Sequence, residues 1–282
     1  MPRETFEVSR RRACRVLGQH RSTQRKMPEA EEGEDRLVKR MLELVRPHPR
    51  FGYRRVWALL KREGWRVNRK RVYRLRRKQG LKVRRKQRKK RRPGCGANGC
   101  VRRPAEYWGH VWAWDFPHDR TSDGRPLKWF TVADEYTREC VALEVGRGMT
   151  AAGVAAALSG VVAERGVPAH IRSDNGPEFI AKAIRAWMSG AGVTTLYIEP
   201  GSPWENGYAE SFNSKVRDEL LNVEEFSSLL EARVLGKEWR RSYDHERPHS
   251  SLGYRTPAEF SQVCPRASSA KPPPPRGHTC ND

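Results

Sequence analysis

Residues 111–116 read VWAWDF, a carboxylate, Asp115, set between Trp114 and Phe116 in a run of aromatic and β-branched residues. Such residues favour extended chain. A charge among them carries a desolvation cost, so Asp115 needs a reason to be there.

Outward from this strand the pattern repeats. PLKWFTVADE (126–135) and CVALEVG (140–146) are two more strands, with a turn signal at Ser122-Asp123-Gly124 before Arg125. Thr150 to Arg165 is an Ala-rich helix that Thr150 can cap. AHIRSDN (169–175) is a fourth strand, Glu178 to Ala191 a helix, and TTLYIEP (194–200) a fifth strand. Further helices cover Trp204 to Leu221 and Ser227 to Tyr243. Three consecutive strands, then helix, strand, helix, strand, helix, predict an α/β chain with a mixed five-stranded sheet and flanking helices.

The amino-terminal side differs. Residues 1–30 hold a short helical segment around Ala13, Val16 and Leu17, and EAEEGE (29–34) is an acidic spacer. Asp35 to Val45 places Leu37, Val38, Met41, Leu42 and Val45 on one helical face, ended by Pro47 and Pro49. Tyr53 to Arg62 forms the next helix, stopped by Gly64. Asn68 caps a third, Arg69 to Gln79, closed by Gly80. The short GWRVN connection makes the last two a helix-turn-helix, within an all-α domain over 35–81. On the third helix Val72 and Leu75 can pack inward while Arg69, Lys70, Arg71, Arg74, Arg76, Arg77 and Lys78 decorate the rest. That suits a helix in a DNA major groove; a solvated basic helix is the plainer alternative.

Charge supports the first reading. The net charge is +23 over 282 residues, yet residues 1–105 hold 36 Lys+Arg against 9 Asp+Glu and residues 106–282 hold 20 against 24. The front half is built for a polyanion. Residues 82–92, KVRRKQRKKRR, hold nine basic residues in eleven, and Arg84, Arg85 and Lys86 are assigned to the DNA backbone. Residues 82–105 are read as a basic linker and 263–282, with KPPPPRG, as a disordered tail. No apolar stretch is long enough to cross a bilayer, so no membrane partner is expected and a cytoplasmic, nucleoid-associated location is the default. The six cysteines lack framework spacing; Cys95 and Cys100 form the one close pair and lack two further zinc ligands.

Three carboxylates stand out: Asp115 in the first strand, Asp174 at the carboxyl end of the fourth, and Glu210 in a helix. Open α/β sheets build sites at the carboxyl ends of strands. Three gathered carboxylates repel unless cations sit among them, and oxygen-only ligands suit Mg²⁺ or Mn²⁺. Singly, each has a plainer reading, and Asp174-Asn175-Gly176 is an ordinary turn signal.

WAWDF, IRSDNGPEF, ENGYAESFNSKVRDEL and YDHERPHSSLGYRTPAEF together resemble the DDE transposases of bacterial insertion sequences, IS-three group, second reading frame (OrfB). The resemblance covers about residues 35–262, and 35 residues separate Asp174 from Glu210. It implies a ribonuclease-H-like core like that of retroviral integrases over 106–262. It maps Asp115, Asp174 and Glu210 as catalytic ligands of two Mg²⁺ (or Mn²⁺) ions, with Asp115 bridging both. It implies strand cleavage and strand transfer at insertion-sequence ends. The expected partners are terminal inverted repeats and target DNA, a homo-oligomer on DNA, and an upstream-frame helix-turn-helix protein. Asn206, Tyr208, Lys215 and Arg217 are assigned to DNA; Asn175, Gly176 and Asn213 to support of the ligands, with Glu178 a neighbouring acid. Arg247, Pro248 and His249 are read as packing the last helix. A ribonuclease-H-like nuclease that cuts without joining, and an inactive DNA-binding remnant, are the rival readings.

Overall fold

The computed structural model describes residues 8–22, 33–83, 104–173, 182–197 and 207–264. The chain divides into two compact units, Met1–Pro47 and His48–Asp282. The first carries α1 (Arg10–Val16) and α2 (Glu34–Val45), with Leu37, Met41 and Val45 buried at helical spacing. In α1 Ala13 and Cys14 are buried, whereas Val16 is 78% exposed.

The second unit opens with α3 (Tyr53–Arg62) and α4 (Arg69–Lys78). Gly64 takes the left-handed φ of +85° that ends α3, and the Asn68 side chain caps α4 by accepting from the Lys70 amide. The Trp57 indole donates to the Val67 carbonyl at 2.9 Å and pins the turn between them. Val56, Ala58, Leu60, Val72 and Leu75 are buried. Arg76, expected on the solvated face, is buried instead. Its guanidinium donates to the Leu81 carbonyl at 2.6 Å, so it closes the carboxyl end of α4 rather than facing solvent.

The sheet contains β1 (Val111–Asp115), β2 (His118–Arg120), β3 (Pro126–Asp134), β4 (Cys140–Gly146), β5 (His170–Ser173) and β6 (Thr194–Tyr197). β1 pairs antiparallel with β3 and parallel with β5; β4 takes the other edge of β3, and β6 lies parallel to β5. The resulting order, β4–β3–β1–β5–β6, is the ribonuclease-H-like mixed sheet. A sixth strand, β2, extends the pairing of β1 along β3 after Pro117, whose carbonyl accepts from the Trp129 amide at 2.8 Å. Three residues, HDR, are too short and too polar to signal a strand on their own.

Alternation along β3 decides the layers. Leu127, Trp129 and Ala133 join a core with Phe212, Val216, Leu220, Phe226, Ala232 and Tyr243. Phe130 and Val132 join the opposite core with Val154, Leu158, Ile184 and Met188. Thus α5 (Ala151–Arg165) and α6 (Lys182–Gly190) cover one face. The other is covered by α7 (Gly207–Val216), a π turn (Arg217–Leu221) and α8 (Leu229–His245). β1 is central, so Trp112 and Trp114 are both fully enclosed. At about 2–3 kcal/mol per buried large side chain, this two-sided core dominates the folding energy. A 3₁₀ turn (Ser250–Leu252) and α9 (Pro257–Val263) complete the unit. α9 starts on a capping box: Thr256 accepts from the Glu259 amide, and the Glu259 carboxylate accepts from the Thr256 amide.

Candidate active site

Asp115 is the last residue of β1 and is half-buried. Its Oδ1 accepts from the Phe116 amide at 2.7 Å, and its Oδ2 accepts from the Asn213 side-chain amide at 2.6 Å. Asn213 is buried on α7; its Oδ1 lies 2.9 Å from the Thr131 hydroxyl, which is also 3.0 Å from the Asp115 carbonyl. Thr131 is the register partner of Asp115 on β3. The helix is therefore fastened to the sheet at the residue that bears the carboxylate.

Glu210 lies three residues before Asn213, on the same side of α7, and is exposed. It makes no hydrogen bond among the described residues. β5 runs parallel to β1, pairing Ala113 with Arg172, and ends at Ser173. Asp174 is the next residue in sequence. It lies outside the described residues, with Asn175, Gly176, Glu178 and Asn206, and so do Arg84, Arg85, Lys86 and the cysteines Cys95, Cys100 and Cys280. Among the described residues no three His, Cys, Asp or Glu side chains gather as a metal site.

Asp115 passes the chemical test for a hard cation. Each oxygen carries one hydrogen bond and keeps lone-pair capacity, and no Lys or Arg pairs with it among the described residues.

The basic residues separate into groups. Arg69, Lys70, Arg74, Arg77 and Lys78 are exposed on α4, and Arg71 is half-buried. Arg217 is exposed at the start of the π turn. Lys215 is elsewhere: five residues past Glu210 is roughly 140° around the helix. Its ammonium donates to the Ser211 carbonyl and hydroxyl, both at 2.8 Å. Burial, then the nearby Arg247, lowers its pKa to about 8. Tyr208 shares that side, with the Arg138 guanidinium 3.9 Å from its ring centroid.

One cluster was not apparent in the sequence. Glu219, in the π turn, receives two hydrogen bonds from Arg247 at 2.7 Å and one from Arg55 of α3 at 2.9 Å. Burial alone would raise its carboxyl, but the hydrogen bonds and charges of Arg247 and Arg55 hold it below the usual range. His249, buried beside Arg247, is pushed down to about 2 by burial and then by Arg247, so its neutral ring accepts from that guanidinium at 3.1 Å. Arg50 pairs with Asp218, and Arg62 with Glu259 at 2.7 Å. These contacts hold the helix-turn-helix against the core.

Two family models described as "Integrase core domain" match residues 107–203 and 191–257, and one described as "HTH-like domain" matches 32–90. The IS407 31.7 kDa protein of Burkholderia multivorans is 41% identical over 92% of both chains. The chain belongs to the integrase-core transposases of bacterial insertion elements. The IS476 39.2 kDa protein of Xanthomonas euvesicatoria is 42% identical over 92% of this chain and 74% of that one. A magnesium complex of the HTLV-2 integrase catalytic core domain aligns with TM-score 0.44 and 15% identity over 54% of this chain and 96% of that one. Among the described residues of this transposase no helix is long and apolar enough to cross a membrane.

Proposed function

We propose that this transposase cleaves and joins DNA strands at the ends of an insertion element, with Asp115, Asp174 and Glu210 as the ligands of two divalent ions. The observation that carries the reading is the Asn213–Asp115 hydrogen bond, which ties the helix of Glu210 to the end of β1. The neighbouring parallel strand runs out one residue before Asp174. Bound Mg²⁺ or Mn²⁺ would supply Lewis-acid activation of an attacking hydroxyl and stabilisation of the leaving oxygen at phosphorus. Asp115, oriented by Asn213 and the Phe116 amide, would hold these ions together with Asp174 and Glu210. The exposed α4 cations are assigned to the terminal repeats, Arg84, Arg85 and Lys86 to the DNA backbone, and Arg217 to phosphates near the reacting end. Asn206 and Tyr208 are assigned to positioning the DNA, and Asn175 and Gly176 to the loop that holds Asp174. The protein works on DNA in the bacterial cytoplasm as a homo-oligomer, alone or with an upstream-frame partner.

The test uses labelled terminal repeats with Mg²⁺. Asp115→Asn, Asp174→Asn and Glu210→Gln should each abolish joined products while leaving end binding largely intact. Activity retained in a purified variant removes that residue from the ligand set. Cleavage without joined products by the unmodified protein would make it a nuclease instead.

A further inference from the structure

A groove of about 580 Å³ opens between the helix-turn-helix and the side of α7 turned away from Glu210. It adjoins two others. A cavity of about 280 Å³ shares Ser211, Lys215, His249 and Ser251 with it, and one of about 760 Å³ shares Gly52, Tyr53 and Val83. The three make one concave track.

Its charges are not all committed. Arg50 is matched by Asp218, and Arg55 and Arg247 share Glu219. Lys215 and Arg54 pair with no carboxylate among the described residues; Lys215 donates to Ser211 and Arg54 to the Tyr53 hydroxyl. A partly desolvated ammonium without an anion gains most from a phosphate. Aromatic surface is interleaved with these cations. Tyr53 and Tyr73 meet edge to face at 5.0 Å where two of the cavities join, and Tyr73 is 46% exposed. Cations that follow a backbone beside rings that accept bases are the elements of a single-strand site. A duplex, in contrast, offers grooves that protruding helices enter and hides its base faces.

We propose that this track holds an unpaired DNA strand, its phosphates on Lys215 and Arg54 and a base against the Tyr53–Tyr73 pair. The proposal rests on the transposase reading and adds a binding site away from the catalytic carboxylates, one suited to a strand separated from the duplex near the reacting end. It also puts the DNA contact expected of Lys215 on a surface apart from Glu210.

The experiment is fluorescence anisotropy with the full chain, in EDTA to stop catalysis. A labelled oligothymidylate is compared with a random-sequence duplex of equal length. Tyr73→Ser and Tyr53→Leu should each weaken oligothymidylate binding about tenfold, in the range of a lost base stack, with duplex affinity within about twofold. Lys215→Gln should reduce the slope of log affinity against log salt by about 0.7 for the oligothymidylate. Tyr73 is exposed, so Tyr73→Ser carries the test even where Tyr53→Leu fails to fold. Unchanged oligothymidylate affinity in folded Tyr73→Ser overturns the proposal. An equal loss of duplex affinity also overturns it and gives the track to duplex backbone. Unmodified protein that binds duplex but no oligothymidylate rejects this site alone; protein that binds neither rejects the transposase reading as well.

Discussion

The Asn213 side-chain amide stands 2.6 Å from Asp115 Oδ2, joining positions 98 residues apart in the chain. Asn213 also meets the Thr131 hydroxyl, the register partner's side chain, so one buried residue connects helix, central strand and neighbouring strand. With Asp115 as the proposed metal ligand, Asn213→Ala should lower strand-cleavage activity about 10–100-fold, the usual effect of removing a group that orients such a ligand. The Mg²⁺ concentration for half-maximal activity should rise. A merely structural role would lower the melting temperature without moving that midpoint.

Glu219 joins α3 to the core through two guanidinium groups. Glu219→Gln leaves Arg247 buried without its counter-charge, at a cost of about 3–5 kcal/mol. Tm should fall by roughly 6–20 °C by calorimetry. The carboxyl is held below its ordinary value of 4.5, so its stabilisation is complete above that pH and fades as pH falls through the lowered value. The variant should thus lose less stability than the parent on acidification. A parallel loss in both proteins would show that Glu219 is not the group responsible.

What the sequence disclosed, and what it withheld, follows from the range of the forces. β1, β3 and β4 are legible because aromatic and β-branched residues alternate or fill whole strands, and α4 because Asn68 caps a run with Val72 and Leu75 inside. β2 exists only because β3 offers an edge, so its three polar residues carry no signal. Arg76 looked like its basic neighbours; its burial depends on where Leu81 returns. The Arg55–Glu219–Arg247 cluster spans 164 and 28 residues, beyond any local pattern. The expected helices stop short of α9, although Thr256-Pro257-Ala258-Glu259 carries a capping-box pattern with proline at the first turn. The metal-ligand assignment came from motif resemblance; Asp174 lies outside the described residues.

Gly236 marks where α8 presses on the sheet. A Cβ there would stand 2.8 Å from Cζ3 of the fully buried Trp129. Alanine gains about 1 kcal/mol of helix propensity over glycine, whereas overpacking a filled core costs about 1–3 kcal/mol. The clash should win because the indole has no exposed side to move toward. Gly236→Ala should lower Tm by a few degrees and alter tryptophan fluorescence. A raised Tm would mean that the two layers separate easily.

Asp244, buried on α8, accepts from the Cys140 amide at 2.8 Å. Burial raises its pKa from 3.8 to about 7 against that hydrogen bond; Glu139 adds to the rise, and Arg240 and Arg165 oppose it. The folded protein therefore binds this proton more tightly than the unfolded chain does. Its contribution is whole below about pH 4 and is lost as pH rises toward 7. Asp244→Asn keeps an oxygen for the Cys140 amide and cannot ionise. At pH 8 it should be more stable than the parent by a few kcal/mol, seen as a Tm higher by several degrees. At pH 4 the difference should vanish. Thermal melts of both proteins from pH 4 to pH 8 provide the check, and equal slopes of Tm against pH would place the titration on another group.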